Sequence, residues 1–198
     1  GGVYGSLAIV DFDGDGRPDI AAPNAQSPGG LSLFRNLSVS GTFSFSSGIA
    51  IPVNGYGTWS LAAGDFNEDG KPDLVVLNYQ NSNLSILENK STIGTISLTR
   101  IYDLSRPSSN NGSIEQAVVG DMDNNGLLDI VCTNINGNSV SVYRNRSASG
   151  GSISFSAGQT IPVGILPTSV GMGDIDGNGT VDLVVSNNTA NTISVLIN

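Results

Sequence analysis

Fourteen of the 17 acidic residues lie in four nine-residue windows, which hold the side chains best suited to chemistry. Each window reads D-x-[DN]-x-[DN]-G-x-x-D, with an oxygen-bearing side chain at positions 1, 3, 5 and 9 and glycine at position 6. Such clustering of carboxylates costs electrostatic repulsion unless cations offset it. The pattern therefore predicts four cation-binding loops, at residues 11–19, 65–73, 121–129 and 174–182.

Calcium is the cation that these loops fit best. It takes about six to eight oxygen ligands, and four side chains, the carbonyl of position 7 and water supply that number. Zinc, copper and iron are disfavoured because the chain has no histidine and no thiolate near the loops. Magnesium fits less well because it demands a strict octahedron. We expect up to four Ca²⁺ per chain, on these predicted ligands: Asp11, Asp13, Asp15, Arg17, Asp19, Asp65, Asn67, Asp69, Lys71, Asp73, Asp121, Asp123, Asn125, Leu127, Asp129, Asp174, Asp176, Asn178, Thr180 and Asp182.

Two other interpretations of the loops compete with calcium binding. Asp-Gly and Asn-Gly pairs also form ordinary turns, but four complete copies favour metal sites. An EF-hand needs a glutamate at position 12, and these loops enter strands rather than helices. Position 12 holds Ala22, Val76, Cys132 and Val185. Loops 3 and 4 carry Asn125 and Asn178 at position 5, so their fewer carboxylates predict weaker binding than in loops 1 and 2.

The loops mark an internal repeat. Their first aspartates are 54, 56 and 53 residues apart, and an asparagine follows thirteen residues after each one. Another asparagine closes each copy. Repeats of this length are typical of propellers, solenoids and arrays. We take residues 1–198 as one module, with repeats at approximately 1–53, 54–109, 110–163 and 164–198.

Each repeat has the pattern of a small antiparallel sheet. One apolar stretch enters the loop, and a near-continuous apolar run such as 74–77 leaves it, as expected of a strand covered on both faces. An alternating strand such as 84–87 follows. We expect a fourth, more polar outer strand at segments such as Thr42–Phe45 and Ile153–Phe155. These features predict an all-β fold of four-stranded β-propeller blades, the last without its outer strand. A β-solenoid is the competing fold, although its coils are usually much shorter.

Composition excludes several function classes. The formal charge of −9 argues against a nucleic-acid partner, and no apolar run reaches the length of a membrane span. Without histidine there is no Ser-His-Asp or Cys-His arrangement, and nearly all carboxylates lie in the loops. We therefore expect no enzymatic activity. Glycoside chemistry on Glu88 or Glu115 is the alternative that an assay could revive.

The repeat resembles the FG-GAP/VCBS family, which is related to the propeller of the integrin α subunit. The resemblance covers essentially the whole chain and lies in the pattern apolar-G-D-F-[DN]-x-D-G-x-P-D-[LI]-V-V followed by [LV]-S-[VI]-[LY]-x-N. It implies a calcium-binding β-propeller in an extracellular or cell-surface setting. The chain departs from the family at several places: the Phe-Gly and Gly-Ala-Pro strings are absent, and substitutions occur at Val10, Leu128 and Val181. The family usually has about seven blades, so four repeats indicate a segment of a longer propeller, with a closed four-bladed ring as the alternative.

A rigid, calcium-stabilised adhesion or display module is the function that the sequence favours, with a protein or glycan as its partner and further repeats or domains flanking it. A carbohydrate-binding propeller is the main rival, because aromatic side chains can stack on sugar rings. A non-catalytic accessory domain of a polysaccharide-active enzyme is a third possibility. The candidate stacking residues do not recur in register: Tyr4, Tyr56, Trp59 and Tyr79.

Overall fold

The structure, a computed structural model, describes residues 5–24, 29–53, 57–79, 81–107 and 114–198. Its fifteen strands form three four-stranded sheets and one three-stranded sheet, each an antiparallel meander that we call a blade. Blade 1 contains β1 (Ala8–Val10), β2 (Asp19–Asn24), β3 (Gly30–Phe34) and β4 (Ile49–Ile51), and blade 2 contains β5 (Thr58–Gly64), β6 (Asp73–Asn78), β7 (Asn83–Asn89) and β8 (Leu98–Ser105). Blade 3 contains β9 (Ala117–Gly120), β10 (Asp129–Asn134), β11 (Ser139–Tyr143) and β12 (Gln159–Pro162). Blade 4 contains β13 (Pro167–Gly173), β14 (Asp182–Asn187) and β15 (Thr192–Leu196).

The predicted all-β fold is confirmed. The only helical segment over the described ranges is one 3-10 turn, Ile135–Gly137, and no helix there is long and apolar enough to cross a membrane. The strand that leaves each acidic loop is the second of its sheet. In blades 2 and 3 this strand is buried along its whole length, whereas in blades 1 and 4 its residues alternate between buried and partly exposed. The fully buried second strands thus belong to the two blades that have a neighbouring blade on each side.

The expected position of the outer strand is wrong. Thr42–Phe45 and Ile153–Phe155 form only isolated bridges, such as Asn36 with Phe45, inside a short hairpin that follows the third strand. The outer strands are β4, β8 and β12, which come later in the chain. The alternating polar pattern is the same in both segments, but the hairpin adds only isolated bridges to the sheet, and Phe43 within it is 93% exposed.

Three apolar clusters join the blades, one at each interface between neighbours. Phe66, at position 2 of the loop of blade 2, is an example. Its side chain is fully buried and packs edge-to-face on Phe155 of blade 3, with 5.3 Å between ring centroids. The residue at the same position of loop 1, Phe12, packs between blades 1 and 2, and Met122 packs between blades 3 and 4. Burying such a side chain stabilises the fold by about 1.5–3 kcal/mol. Interfaces between blades thus replace a single central core.

In blades 2, 3 and 4, the asparagine that recurs thirteen residues after each loop begins bonds the second strand to the third. The side-chain nitrogen of Asn78 donates to Ser85 Oγ at 2.9 Å, that of Asn134 to Ser141 Oγ at 2.8 Å, and that of Asn187 to Ser194 Oγ at 2.9 Å. These bonds lie at the end of each blade opposite the acidic loop.

Candidate metal sites in the four acidic loops

The first aspartate of each loop fixes the fold of its backbone. In loop 2 the two oxygens of Asp65 accept the N–H groups of Asp69 at 3.1 Å and Gly70 at 2.8 Å, and the other loops repeat both bonds. The position-6 glycines all have φ between 83° and 88°, where a side chain would be strained. Position 4 is also left-handed in every loop, with φ between 54° and 78°: Gly14, Glu68, Asn124 and Gly177.

The aspartate at position 9 ties the loop to the rest of its blade. The oxygens of Asp73 accept the N–H of Phe66 at 3.0 Å and the N–H of Asn89 at 2.8 Å. The same two bonds occur in all four blades, on fully buried carboxylates. Burial raises the pKa of Asp73 to about 6, and the charges of Asp69 and Asp65 add to this against the two hydrogen bonds. A bound cation would favour the charged form.

Three loops bring aspartate oxygens close enough to share one ion. Each group has one carboxylate oxygen per residue, all within 4.8 Å of one another. The groups are Asp11, Asp13 and Asp15; Asp121, Asp123 and Asp129; and Asp174, Asp176 and Asp182. Loop 1 therefore groups positions 1, 3 and 5, whereas loops 3 and 4 group positions 1, 3 and 9. Asp19 is outside the first group.

Loop 2 has an asparagine at position 3, Asn67, and its surroundings show whether a cation that prefers oxygen ligands fits this loop. Asn67 is 2% exposed, and its side-chain nitrogen donates to Gly151 O at 2.8 Å. Its Oδ1 is buried and has no hydrogen-bond partner. An unpartnered buried carbonyl is costly, and Ca²⁺ is a partner that oxygen of this kind coordinates. The residues of loop 2 thus fit the ion predicted for it.

The next blade covers position 3 in the first two loops. The turn that carries Gly94 donates its N–H to Asp13 Oδ2 at 3.0 Å, and Gly150 donates to Asn67 O at 2.6 Å. Asp13 and Asn67 are accordingly buried, whereas Asp123 is exposed. The hairpins that follow the third strands of blades 2 and 3 thus cover the loop of the preceding blade.

The closing asparagine of blades 2, 3 and 4 reaches into the loop of the blade before it. The side-chain nitrogen of Asn145 donates to Phe66 O at 2.8 Å and to Leu128 O at 3.0 Å. Asn89 makes the same bond to Phe12 O at 2.9 Å, and Asn198 to Met122 O at 2.6 Å. One side chain therefore links the loop of its own blade to the loop of its neighbour.

Position 7, whose carbonyl oxygen is a predicted ligand, points its side chain across the loop. Lys71 Nζ donates to Ser91 O at 3.0 Å, and Thr180 Oγ1 donates to Asn198 O at 3.0 Å. Arg17 Nη2 pairs with Asp15 Oδ2 at 2.5 Å, whereas Leu127 has no polar group to offer. The side chains at this position thus vary while the backbone path does not.

Four residues proposed for sugar binding or catalysis are described by the structure, and none of them belongs to an acidic loop: Trp59, Tyr79, Glu88 and Glu115. Trp59 and Tyr79 are partly buried and stack on each other, with 5.1 Å between ring centroids. Tyr4 and Tyr56 lie outside the described residues. Glu88 pairs with Lys90 at 2.5 Å, and Glu115 is partly buried with its pKa raised by that burial.

Comparisons with known proteins agree with this architecture. A family model described as an FG-GAP-like repeat matches three overlapping stretches, 11–76, 65–132 and 121–185. No protein with a curated description matches the sequence. Among solved structures, BBS1N in complex with ARL6DN, soaked with lead, aligns over 99% of this chain with a TM-score of 0.61 and 14% identity. A protein from Lactobacillus plantarum aligns over 98% with a TM-score of 0.55 and 11% identity.

The Photorhabdus luminescens Tc holotoxin pore aligns over 94% of this chain, with a TM-score of 0.51 and 18% identity. At these identities the likeness concerns the fold alone, and it confirms the β-propeller architecture. This chain spans 57% of the BBS1N chain, 54% of the Lactobacillus plantarum chain and 8% of the holotoxin chain.

Proposed function

The chain belongs to the FG-GAP-like repeat family, and we propose that it serves as a calcium-stabilised β-propeller scaffold in a secreted or cell-surface protein. The recurrence of one oxygen-lined loop in four blades carries the proposal, together with the unpartnered Oδ1 of Asn67. Four ions would bring the formal charge from −9 to about −1. Extracellular calcium modules bind at roughly 10⁻⁴–10⁻³ M, which matches a setting outside the cell.

Calcium would join three parts of each blade. The loop residues at positions 1, 3 and 5, together with position 9 in loops 3 and 4, would hold the ion. The position-9 aspartate already binds the start of its loop and the end of the third strand through backbone N–H groups. Neutralising these carboxylates removes the repulsion among them. The scaffold then presents its variable turns in fixed positions, as adhesion and display modules require.

Native mass spectrometry and calorimetry test the proposal directly. We expect calcium to bind at millimolar concentrations and Asp65→Asn combined with Asp69→Asn to remove one ion. Glu88→Gln is the matched control, because Glu88 lies outside the loops and pairs with the exposed Lys90. Absence of calcium from the wild-type protein at these concentrations would contradict the proposal.

We propose that the exposed face of blade 4 packs against another blade of the same repeat. Ile175, Ile193 and Val195 are 51%, 67% and 47% exposed. The residues at the same positions of blade 2 are fully buried against blade 3: Phe66, Leu84 and Ile86. The proposed partner surface is therefore apolar, like the face of blade 3 that covers Phe66, Leu84 and Ile86. Concentration-dependent association in sedimentation, abolished by Val195→Lys, is expected; a strictly monomeric chain would count against this face.

We propose a non-catalytic role with a protein ligand. The mutual stacking of Trp59 and Tyr79 supports a packing role for both rings over a sugar platform. Specific signals on a glycan array, lost with Trp59→Ala, would instead favour the carbohydrate-binding alternative. Turnover of a polysaccharide that is lost with Glu88→Gln or Glu115→Gln would revive catalysis.

A further inference from the structure

Loop 1 already contains a cation from the chain itself. Arg35 Nε donates to Asp13 Oδ2 at 2.5 Å, and its Nη2 donates to Asp15 Oδ2. The guanidinium therefore bridges positions 3 and 5, two of the three positions that group their oxygens in this loop. The carboxylates are almost fully enclosed, with side-chain exposures of 0% for Asp13 and 5% for Asp15, and that of Arg35 is 18%. Enclosed, charge-assisted bonds of this kind are strong and little screened by salt.

Every carboxylate oxygen of the group in loop 1 has a donor. Asp11 accepts three backbone N–H groups, Asp13 accepts the N–H of Asp15 and of Gly94 besides Arg35, and Asp15 accepts from Arg17 and Arg35. Calcium can take the place of Arg35 at Asp13 Oδ2 and Asp15 Oδ2 only by displacing the guanidinium. The guanidinium of Arg35 would then lose its bonds to two carboxylates, and this loss opposes calcium binding.

The residue at the same place in the other blades does not do this. It is the residue immediately before the closing asparagine, and its identity changes from copy to copy. Arg144 in blade 3 pairs only with Asp129 of position 9, at 2.9 Å. Glu88 in blade 2 pairs with Lys90, and Ile197 in blade 4 is 54% exposed. Among the residues that the structure describes, only loop 1 has a basic side chain on positions 3 and 5.

We propose that Arg35 is the resident cation of loop 1 and competes with calcium there, so that loops 2, 3 and 4 fill at calcium concentrations that leave loop 1 empty. This rests on the proposed function, since calcium is the competing ion. The carboxylate number alone places loop 1 with the tighter sites, and Arg35 reverses that order. Displacing the bridging guanidinium should weaken the apparent affinity of loop 1 at least about tenfold relative to loop 2.

A calcium titration followed by NMR tests this competition, with the amide signals of the position-6 glycines as one reporter per loop: Gly16, Gly70, Gly126 and Gly179. In the wild-type chain we expect the Gly16 signal to respond last. In Arg35→Met it should respond with the other three, and native mass spectrometry should then show one additional ion at the same calcium concentration. Arg35→Lys keeps a positive charge but cannot bridge both carboxylates through a fork, so its Gly16 midpoint should lie between the two.

Arg100→Met is the matched control, because Arg100 pairs with Asp103, on β8, outside the four loops. It should leave all four midpoints unchanged. A wild-type Gly16 signal that responds together with the others, or one unaffected by Arg35→Met and Arg35→Lys, overturns the inference while leaving calcium binding intact. A lack of response at all four glycines would instead refute the proposed function.

A calcium-free measurement gives an independent readout. In chelator, Arg35→Met should lower the melting temperature and raise hydrogen exchange in residues 11–19, because Asp13 and Asp15 then lose the guanidinium that bridges them. Added calcium should restore both in the variant and change the same segment little in the wild type. Equal calcium protection of residues 11–19 in both proteins would contradict a resident arginine.

Discussion

Removing the side chain of Asn145 should destabilise the junction between blades 2 and 3 more than any change in a plain turn. Asn145 is fully buried and donates to Phe66 O in blade 2 and to Leu128 O in its own blade. Its Oδ1 accepts the N–H and the hydroxyl of Ser147, at 2.9 and 2.6 Å. Asn145→Ala therefore removes four hydrogen bonds and leaves buried carbonyl groups unpartnered.

The expected loss is about 3 kcal/mol of unfolding free energy, since each bond contributes about 0.5–1.5 kcal/mol and each orphaned group costs more. For a chain of this size that corresponds to a fall of roughly 6–12 °C in melting temperature. Urea unfolding in saturating calcium measures the change, and hydrogen exchange locates it at loop 2 and β10.

Asn36→Ala is the matched control. Asn36 occupies the same place in blade 1 and bonds Pro18 O at 2.9 Å and the N–H of Ser38 at 2.9 Å, but it is only partly buried and makes no bond to another blade within the described residues. It should cost about 1 kcal/mol. Similar small losses in both variants would refute the reasoning that the buried bond between blades provides the larger part.

Three further substitutions have defined expectations. Glu68→Gly should stabilise the fold by about 1 kcal/mol in thermal unfolding, because Glu68 has φ 56°; Glu68→Gln, which keeps the backbone strain, should not, and the reverse order would contradict the strain. Asn125→Asp should raise the calcium affinity of loop 3 several-fold in a titration, because a carboxylate replaces an amide; an unchanged midpoint would mean that position 5 is not a ligand. Phe66→Ala should cost about 3–5 kcal/mol in urea unfolding but Ile175→Ala under about 1, because Phe66 is buried and Ile175 is 51% exposed; equal costs would contradict the exposed face.

Much of the fold was predictable because period and polarity are visible in the residues themselves. The recurring acidic loops and the apolar runs after them locate the first two strands of each blade, and alternation locates the third. The sequence does not locate the outer strands, because two polar, alternating segments follow the third strand and only the later one joins the sheet. Only tertiary contact distinguishes them: Gly94 and Gly150, in the hairpins, touch the preceding blade.

The sequence predicts which residue types line the candidate sites, but it does not show how the four loops differ from one another. The left-handed backbone at position 4 was signalled by Gly14, Asn124 and Gly177, but Glu68 concealed it. The bridging role of Arg35 depends on a contact across 20 residues, which spacing alone does not show. The sequence signal for this role is the residue immediately before the closing asparagine, which differs among the four blades.

Thermal unfolding with and without a calcium chelator tests the central claim most directly. An ion that binds only the folded loop stabilises it by about 2.7 kcal/mol at a hundredfold excess over its dissociation constant. With calcium in excess, the melting temperature should therefore be higher than in chelator, and hydrogen exchange at the starts of β6, β10 and β14 should be slower. The blade cores should persist without calcium, because they rest on clusters such as that around Phe66. Identical melting and exchange in calcium and in chelator would mean that the loops are plain turns.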